Sequence, residues 1–328
     1  MKPNEVICLG SAIVDVFIEA TEEDLASLGL ERSSMTLVGR ELAMEVASLF
    51  PIKHTKSGGS AANTASALAT LGVDTGFLGL YDSDDLGESF VREMREGGVE
   101  VFTDFVGPGV GTGRCLVFVT KDGERTMATY LGAAATISEV QIAKLPLKDA
   151  KTVYIEGYLL EVQAAYDAIL KLAPRLVRAG VKFVLSLSDR FLVERLEDSL
   201  NDLIRAGAIS MVFGNEAEFE SLVGTSDMED AARRLGSQGL QGVITLGSEG
   251  ALGFDDEHIV KVPANPSVEV VDTTGAGDLF AAGFLFGMVR GFDLETSCRM
   301  GVECATEVIS HFGARPTRPL VELLAPYL

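Results

Sequence analysis

TVYIEG at positions 152–157 is the first of four short apolar segments in the second half of the chain. Stretches long enough to form a helix separate these segments from one another. Apolar strands that alternate with helices are typical of βαβ units, in which helices cover both faces of a parallel sheet. The sequence therefore predicts a three-layer α/β/α fold with a mostly parallel central sheet. The other three segments are VKFVLSL (181–187), ISMVFG (209–214) and GVITLG (242–247).

The first half of the chain predicts a second, smaller β-rich unit. IVDVFIEA at 13–20 alternates apolar and polar residues, which indicates a strand with one exposed face. The segments at 99–106, 115–120 and 126–131 are typical of antiparallel hairpin strands. We therefore expect a lid formed by 12–40 and 99–131, and a large α/β domain formed by 1–11, 41–98 and 132–328.

The composition argues against several classes of partner. The formal net charge of −21 over 328 residues repels nucleic-acid phosphates and anionic membrane surfaces. No stretch approaches the ~18 consecutive apolar residues that span a bilayer, and the N-terminus shows no cleavable signal pattern. The four cysteines have no CxxC spacing, which favours reduced, buried thiols. We therefore expect a cytoplasmic protein with neither a nucleic-acid nor a membrane partner.

The strongest signal for function is VDTTGAGD at 271–278, which runs directly into the apolar segment LFAAGFLFGMV. Small residues at a helix start let backbone N–H groups converge on one point, and the helix N-terminus adds partial positive charge. The motif therefore predicts an anion site beside Asp278, in the first turn of a helix. The alternative is that Asp278 only caps this helix, as aspartates often do. Capping alone does not account for the Gly-Ala-Gly sequence before it.

Several common phosphate and metal motifs are absent. The chain has no Gly-Lys dipeptide and therefore no P-loop, and neither HRD nor DFG of the protein kinases occurs. GPGVGTG at 107–113 contains a proline between predicted strands, which favours a hinge over a phosphate loop. DSDDLG at 82–87 places a leucine where a calcium loop needs a ligand.

Four motifs together carry a resemblance to a known family. DTTGAGD (272–278) resembles the C-terminal signature of the ribokinase-like (PfkB) family of carbohydrate and nucleoside kinases. The other family motifs follow in the expected order across essentially the whole chain. The resemblance implies a ribokinase-like fold with a lid, and an ATP-dependent phosphotransferase acting on a primary hydroxyl. The remaining three motifs are SGGSAANTA (57–65), NEAE (215–218) and TLGSEG (245–250).

The resemblance also implies the roles of the catalytic and nucleotide-binding residues. Asp278 would be the base that takes the proton from the substrate hydroxyl, a step in which a positioned carboxylate typically contributes ~10²–10⁴-fold. Backbone amides of the three preceding residues would hold the transferred phosphoryl group. These are Gly275, Ala276 and Gly277, and the positions matching the ATP side are Asn215, Thr245, Gly247, Ser248 and Gly250.

Two metal sites are implied in the same way. Asn215 and Glu218 lie three residues apart at a predicted helix start, where their oxygens would suit Mg²⁺, bound through water. A surface helix start rich in glutamate is the alternative. Asp272 and Thr274 match positions that hold a monovalent cation, often K⁺, in many relatives. Ordinary turn chemistry of Asp and Thr is the alternative there.

The acceptor side is implied by a third set of positions. Asp15, Gly59 and Asn63 match residues that contact substrate hydroxyls, and Cys115 matches one that faces a nucleoside base. An exposed lid residue is the alternative for Asp15. The insertion at 21–50, with its predicted helix, strand and helix, resembles the adenosine-kinase branch of the family.

Three functions remain open at this stage. The first is a kinase for adenosine or a related nucleoside. The second is a sugar kinase acting on fructose, ribose or 2-keto-3-deoxygluconate, and the third is a catalytically silent binding protein. We expect a small-molecule substrate, and either a monomer or a homodimer.

Overall fold

The computed structural model describes residues 3–102, 106–107 and 109–328. Within this part of the chain the strands form two sheets, one of nine strands and one of five. The strands in chain order are β1 (Val6–Leu9), β2 (Ile13–Glu19), β3 (Met35–Leu37), β4 (Ile52–Gly58), β5 (Thr75–Leu78), β6 (Glu100–Val101), β7 (Gly113–Val119), β8 (Arg125–Tyr130), β9 (Thr152–Glu156), β10 (Lys182–Ser186), β11 (Met211–Asn215), β12 (Gln241–Thr245), β13 (Ala251–Phe254) and β14 (Ile259–Val262).

Helices surround the larger sheet and also cover part of the smaller one. The helices in chain order are α1 (Glu22–Ser27), α2 (Arg40–Leu49), α3 (Ser60–Thr70), α4 (Asp85–Glu96), α5 (Glu139–Ala143), α6 (Gln163–Arg178), α7 (Arg190–Arg195), α8 (Glu197–Arg205), α9 (Glu216–Val223), α10 (Met228–Gly236), α11 (Ala276–Arg290), α12 (Leu294–Ile309) and α13 (Leu320–Leu324). Short 3₁₀ turns occur at Gly132–Thr136, Leu147–Asp149, Gly157–Glu161, Gly247–Glu249 and Ala325–Tyr327.

The larger sheet confirms the predicted α/β fold. Its strand order is β14-β13-β12-β11-β10-β9-β1-β5-β6, and the seven strands from β12 to β6 run parallel. Alternate residues of β1 belong to different apolar cores, since Val6 and Cys8 pack on one face while Ile7 and Leu9 pack on the other. Both faces are therefore buried, which explains why these strands are almost continuously apolar.

The smaller sheet has the order β3-β8-β7-β2-β4 and contains the predicted hairpin β7–β8. One of its faces packs on α1 and α2 through residues such as Val16 and Ile18. Its other face carries the remaining side chains of β2, because successive residues of a strand point to opposite sides. We call this five-stranded sheet, with α1 and α2, the lid.

Two strands lie in a different sheet from the one predicted. The sequence predicts residues 52–58 as part of the large domain, but β4 pairs antiparallel with β2 in the lid. Its sequence IKHTKSG is polar and largely exposed, so it carries no hydrophobic period that would indicate a strand. The sequence predicts residues 99–106 as part of the lid, but β6 pairs parallel with β5 in the large sheet. The predicted strand also includes 103–105, which lie outside the described residues.

Two aspartates of the segment 82–84 bind the backbone of the predicted hinge at 107–113. The Asp82 carboxylate accepts hydrogen bonds from the backbone N–H groups of Gly109 at 3.0 Å and Gly111 at 2.6 Å. The Asp84 carboxylate accepts from the N–H of Thr112 at 2.9 Å. These carboxylates therefore bind backbone donors, in line with the rejection of a calcium loop. Residue 108 of this segment lies outside the described part.

All four cysteines are buried and free, as the spacing predicted. Among the helices that the structure describes, none is both long and apolar enough to cross a membrane.

Candidate active site

Asp278 lies in the first turn of α11, which begins after Gly275 in a left-handed conformation with φ of 80°. Its carboxylate does not cap that helix. It accepts hydrogen bonds from α3 instead, from Ser60 Oγ at 2.7 Å and from Asn63 Nδ2 at 2.9 Å. The N-cap of α11 is therefore Gly275, and the alternative that Asp278 only caps this helix is wrong.

Burial raises the pKa of Asp278, and the hydrogen bonds from Ser60 and Asn63 partly oppose this rise. The Arg315 guanidinium acts in the same direction as those hydrogen bonds. A raised pKa suits a general base, because a carboxylate that binds protons more strongly takes a hydroxyl proton more readily. Such perturbed groups cluster at functional sites.

Two adjoining cavities open at the carboxyl edge of the large sheet. The first, of about 420 Å³, is lined by the Asp278 carboxylate and by the loop before it. The second, of about 500 Å³, is lined by all five positions that matched the ATP side. The two cavities share Ala276 and Gly277, so the helix start lies between them. The five positions are Asn215, Thr245, Gly247, Ser248 and Gly250.

Asn215 and Glu218 form a capping box at the start of α9. Asn215 Oδ1 accepts from the Glu218 N–H at 3.0 Å, and the Glu218 carboxylate accepts from the Asn215 N–H at 3.1 Å and from Asn215 Nδ2 at 2.8 Å. Burial raises the pKa of Glu218 to about 7. Both residues line the 420 Å³ cavity. Water-mediated binding of Mg²⁺ by them stays a prediction. Their direct contacts are with each other.

Asp272 and Thr274 form a hydrogen-bonded corner that is held by an arginine of the lid. The Asp272 carboxylate accepts from Thr274 Oγ1 at 2.7 Å and from the Gly313 N–H at 2.8 Å. Arg125 on β8 bonds to Asp272 at 2.9 Å and to Thr274 Oγ1 at 2.8 Å. The hydrogen bonds between Asp272 and Thr274 are those of an ordinary Asp-Thr turn. Because the side-chain oxygens of both residues already accept hydrogen bonds or form ion pairs, a K⁺ ion bound to them would have to displace Arg125.

Arg125 also fixes the lid against the site. Its guanidinium lies between two rings, 5.8 Å from the Phe17 centroid and 5.7 Å from the Phe312 centroid. Phe17 lies on β2, two residues from Asp15, and therefore on the same face of the lid. The face that carries Asp15 is thus the one turned towards the loop that holds Asp272 and Thr274.

The predicted acceptor residues come together beneath this face. A Cβ added to Gly58 would lie 2.6 Å from the Asp15 carboxylate, so that carboxylate rests directly on the glycine backbone. Gly59 has φ of 88°, and a Cβ there would lie 2.4 Å from the Ser11 carbonyl oxygen. Asn63 Oδ1 is buried and has no partner among the described residues. Burial raises the pKa of Asp15 to about 7.

Cys115 lies beside Asp15, because the two residues are paired in register across β2 and β7. It is buried in a small apolar cluster with Ile13, Val117 and Ala134, packed against partly exposed residues of the same face. Burial raises the pKa of the Cys115 thiol to about 12, so it behaves as an apolar side chain. The partly exposed residues are Phe17, Val119, Met127 and Leu131.

Glu156 was not predicted, although it binds the first turn of α3, whose Ser60 contacts Asp278. Its carboxylate accepts from the N–H of Ser11 at 2.7 Å and from the N–H of Ala61 at 2.9 Å. It thereby ties the loop after β1 to the first turn of α3. Complete burial raises its pKa to about 7. A charged residue at the end of the apolar strand TVYIE was the sequence signal for it.

We expect the Glu156 carboxyl to make stability depend on pH. Its folded pKa is above its usual value of 4.5, so folding favours the protonated form, and stability falls as pH rises from about 4.5 to about 7. Glu156→Gln should remove this component, and the difference in melting temperature between the variant and the wild type should therefore rise over that range. Thermal unfolding between about pH 4.5 and 8 tests it. Parallel curves for the two proteins would contradict the assignment.

Comparison with known proteins gives a consistent result. The sequence model of the pfkB family of carbohydrate kinases matches residues 32–320. An adenosine kinase of Saccharomyces cerevisiae is 29% identical, with 94% of this chain and 95% of the relative covered. A 5-dehydro-2-deoxygluconokinase of Shouchella clausii is 28% identical, with 82% and 86% covered. The crystal structure of an adenosine kinase from Sinorhizobium meliloti has a TM-score of 0.90 and 35% identity, with 100% of both chains covered.

Proposed function

Because the chain belongs to the pfkB family of carbohydrate kinases, whose members use ATP to phosphorylate sugars and nucleosides, we propose that its own acceptor is an adenosine-like nucleoside. The observation that carries this proposal is an apolar patch of the lid beside Asp15, formed by Cys115, Val117, Met127 and Leu131. A free sugar exposes hydroxyls on every side and needs polar partners around it, whereas a nucleoside has a flat base that fits against apolar side chains.

The lid provides such an apolar surface next to hydroxyl-binding groups. Asp15 and Asn63 lie at one end, suited to vicinal hydroxyls of a ribose. Val117, Met127 and Leu131 continue along the same face and offer no polar side-chain group beyond a thioether. The acceptor site thus divides into a polar part for a sugar and an apolar part for a base.

The reaction follows from the groups around Asp278. The Asp278 carboxylate takes the proton from the primary hydroxyl, and that oxygen forms a bond to the γ-phosphorus of ATP while the bond from phosphorus to the β-γ bridging oxygen breaks, leaving ADP. The N–H groups of Gly275, Ala276 and Gly277 are placed to stabilise the charge on the transferred phosphoryl oxygens. Mg²⁺ would supply further charge neutralisation, held through water near Asn215 and Glu218.

The nucleotide would lie in the 500 Å³ cavity. Gly247 and Gly250 line this cavity with backbone of positive φ, and a Cβ at Gly250 would lie 2.0 Å from the Val262 carbonyl oxygen. The rest of the lining is mainly apolar and is suited to a purine ring, and it includes Ala264, Pro266, Val268, Val302 and Ala305.

An ADP-release assay with ATP, nucleosides, fructose, ribose and 2-keto-3-deoxygluconate tests the proposal. We expect kcat/KM for adenosine or a close relative to be at least ~10²-fold above that of any free sugar, since the base adds buried apolar contact. Turnover of free sugars alone would assign the protein to the second candidate function. An absence of turnover on the whole panel would leave only the silent binding protein.

A matched pair of variants tests whether the apolar surface of the lid contacts the acceptor. Met127→Gln should lower kcat/KM for the nucleoside about tenfold, because it places an amide against the base. Met44→Gln is the control, since Met44 is exposed on α2, which covers the opposite face of the lid. Equal effects of the two variants would show that this face does not contact the acceptor.

A further inference from the structure

We propose that Arg315 is a positioning residue of the phosphoryl-transfer site, whose guanidinium keeps the Asp15 and Asp278 carboxylates ionised in the buried acceptor pocket. The inference rests on the roles proposed above for these two aspartates. Sequence motifs did not indicate Arg315, which lies in the segment GARPTRP after α12.

The backbone on both sides of Arg315 is firmly fixed. Gly313 donates its N–H to Asp272 at 2.8 Å, and a Cβ added to Gly275 would lie 2.7 Å from the Ala314 side chain. On the other side, the buried Glu307 carboxylate accepts from the Thr317 N–H at 2.9 Å and from Thr317 Oγ1 at 2.9 Å. Arg315 therefore starts from the loop that packs on the predicted anion site.

Its guanidinium reaches the acceptor side but makes only weak hydrogen bonds there. Nη2 lies 3.4 Å from the Ser57 carbonyl oxygen and 3.6 Å from Met94 Sδ. Nε is buried and has no partner among the described residues. Ser57 precedes Gly58, whose backbone supports the Asp15 carboxylate. The cation thus lies between the Asp278 loop and the Asp15 segment, and within the described part of the chain it has no ion pair closer than 4 Å.

A half-buried arginine with hydrogen bonds this long recovers little of the free energy that its desolvation costs. The carboxylates that the guanidinium faces are those of Glu93, Asp278 and Asp15, and its positive charge lowers the pKa of both aspartates against the rise caused by burial. Arg125 and Lys56 also lower the pKa of Asp15, whereas the Asp278 carboxylate raises it. The titratable and charged groups around the two carboxyls are Lys56 on β4, Glu93 on α4, Cys115 on β7, Arg125 on β8, Tyr154 and Glu156 on β9, Tyr158 and Arg315.

The pH profile of kcat/KM for the acceptor that is turned over tests the proposal. We expect Arg315→Met to lower kcat/KM about tenfold or more near pH 6 and by less than about threefold near pH 9, because loss of the cation favours the protonated carboxyls and this matters most at the lower pH. Arg315→Lys should restore most of the loss because it keeps the charge. Arg318→Met, an exposed arginine of the same loop, should match the wild type at both pH values.

Two further measurements test the proposal, the first without the Arg315→Met variant and the second without an acceptor. Glu93→Gln removes the anion that also faces Arg315, so it should shift the acidic limb of the profile to lower pH. For Arg315→Met itself, the deficit in melting temperature should grow from about pH 6 to about pH 9, because ionised Asp15 and Asp278 lose their nearby cation.

The outcomes separate this inference from the proposed function. A uniform loss of kcat/KM at every pH, or no loss at all, would overturn the positioning role while leaving the kinase assignment intact. A wild type without turnover would contradict the proposed function alone, and the pH dependence of the melting temperatures would then decide the role of Arg315.

Discussion

Asp278→Asn is expected to lower kcat by at least ~10²-fold while the protein keeps its fold. The asparagine has the same shape and can still accept a hydrogen bond from Ser60 or Asn63, but it cannot take a proton. The fold should not suffer, because burial raises the pKa of Asp278 and the folded site therefore holds its charge at a cost. Steady-state kinetics and thermal unfolding on the same preparation measure both effects.

The matched control for this variant is Asp293→Asn on the neighbouring helix. Asp293 is a true N-cap of α12, and its carboxylate accepts from the Thr296 N–H at 2.7 Å. It should lose at most about 1 kcal/mol of stability and keep its activity. If Asp278→Asn retained kcat within about tenfold of the wild type, Asp278 would not be the base.

The large sheet could be predicted because each of its signals is local. The apolar segments that became β9 to β12 have the length of a strand and are separated by helix-length stretches, so the parallel sheet follows from the sequence. The helix start at Gly275 was equally clear, since a positive φ at that position requires glycine. Both features depend on residues that are neighbours in the chain.

The lid could be predicted only in part, because its pairing joins distant segments. The strand β4 is polar and lies on an edge of the sheet, where packing imposes no hydrophobic period. The contacts of Arg125 and Arg315 arise when the lid and the segment after α12 fold onto the site. No spacing in the sequence connects Arg125 with Asp272, which lies 147 positions further along the chain.

Asn215 and Glu218 illustrate a limit of a different kind. Their spacing correctly predicted a shared position at a helix start. The same spacing suits a capping box and a metal-binding pair, because both need oxygen atoms directed at the first turn. The structure shows the capping box directly, and the sequence could not distinguish the two.

Gly277→Val is the second variant with a large expected effect, and we expect it to separate stability from activity. A Cβ at Gly277 would meet no atom within 4 Å, and the residue is helical, so the fold has room for a side chain. That room is the cavity shared by the two halves of the site, where the transferred phosphoryl group is proposed to lie. The variant should therefore unfold at or above the wild-type temperature, because a helical glycine costs up to about 1 kcal/mol.

The activity of Gly277→Val should fall at least ~10²-fold in kcat/KM for ATP, because the valine would keep the phosphoryl oxygens away from the backbone N–H groups. Gly275→Ala is the opposite case, since its φ of 80° and the Ala314 side chain 2.7 Å away leave no space for a methyl group. We therefore expect Gly275→Ala to lower the melting temperature rather than to remove a particular contact with ATP. Thermal unfolding and ATP kinetics on both variants make the comparison. Wild-type kinetics for Gly277→Val would place the phosphoryl group elsewhere, since a site that binds it at this helix start cannot also hold the valine.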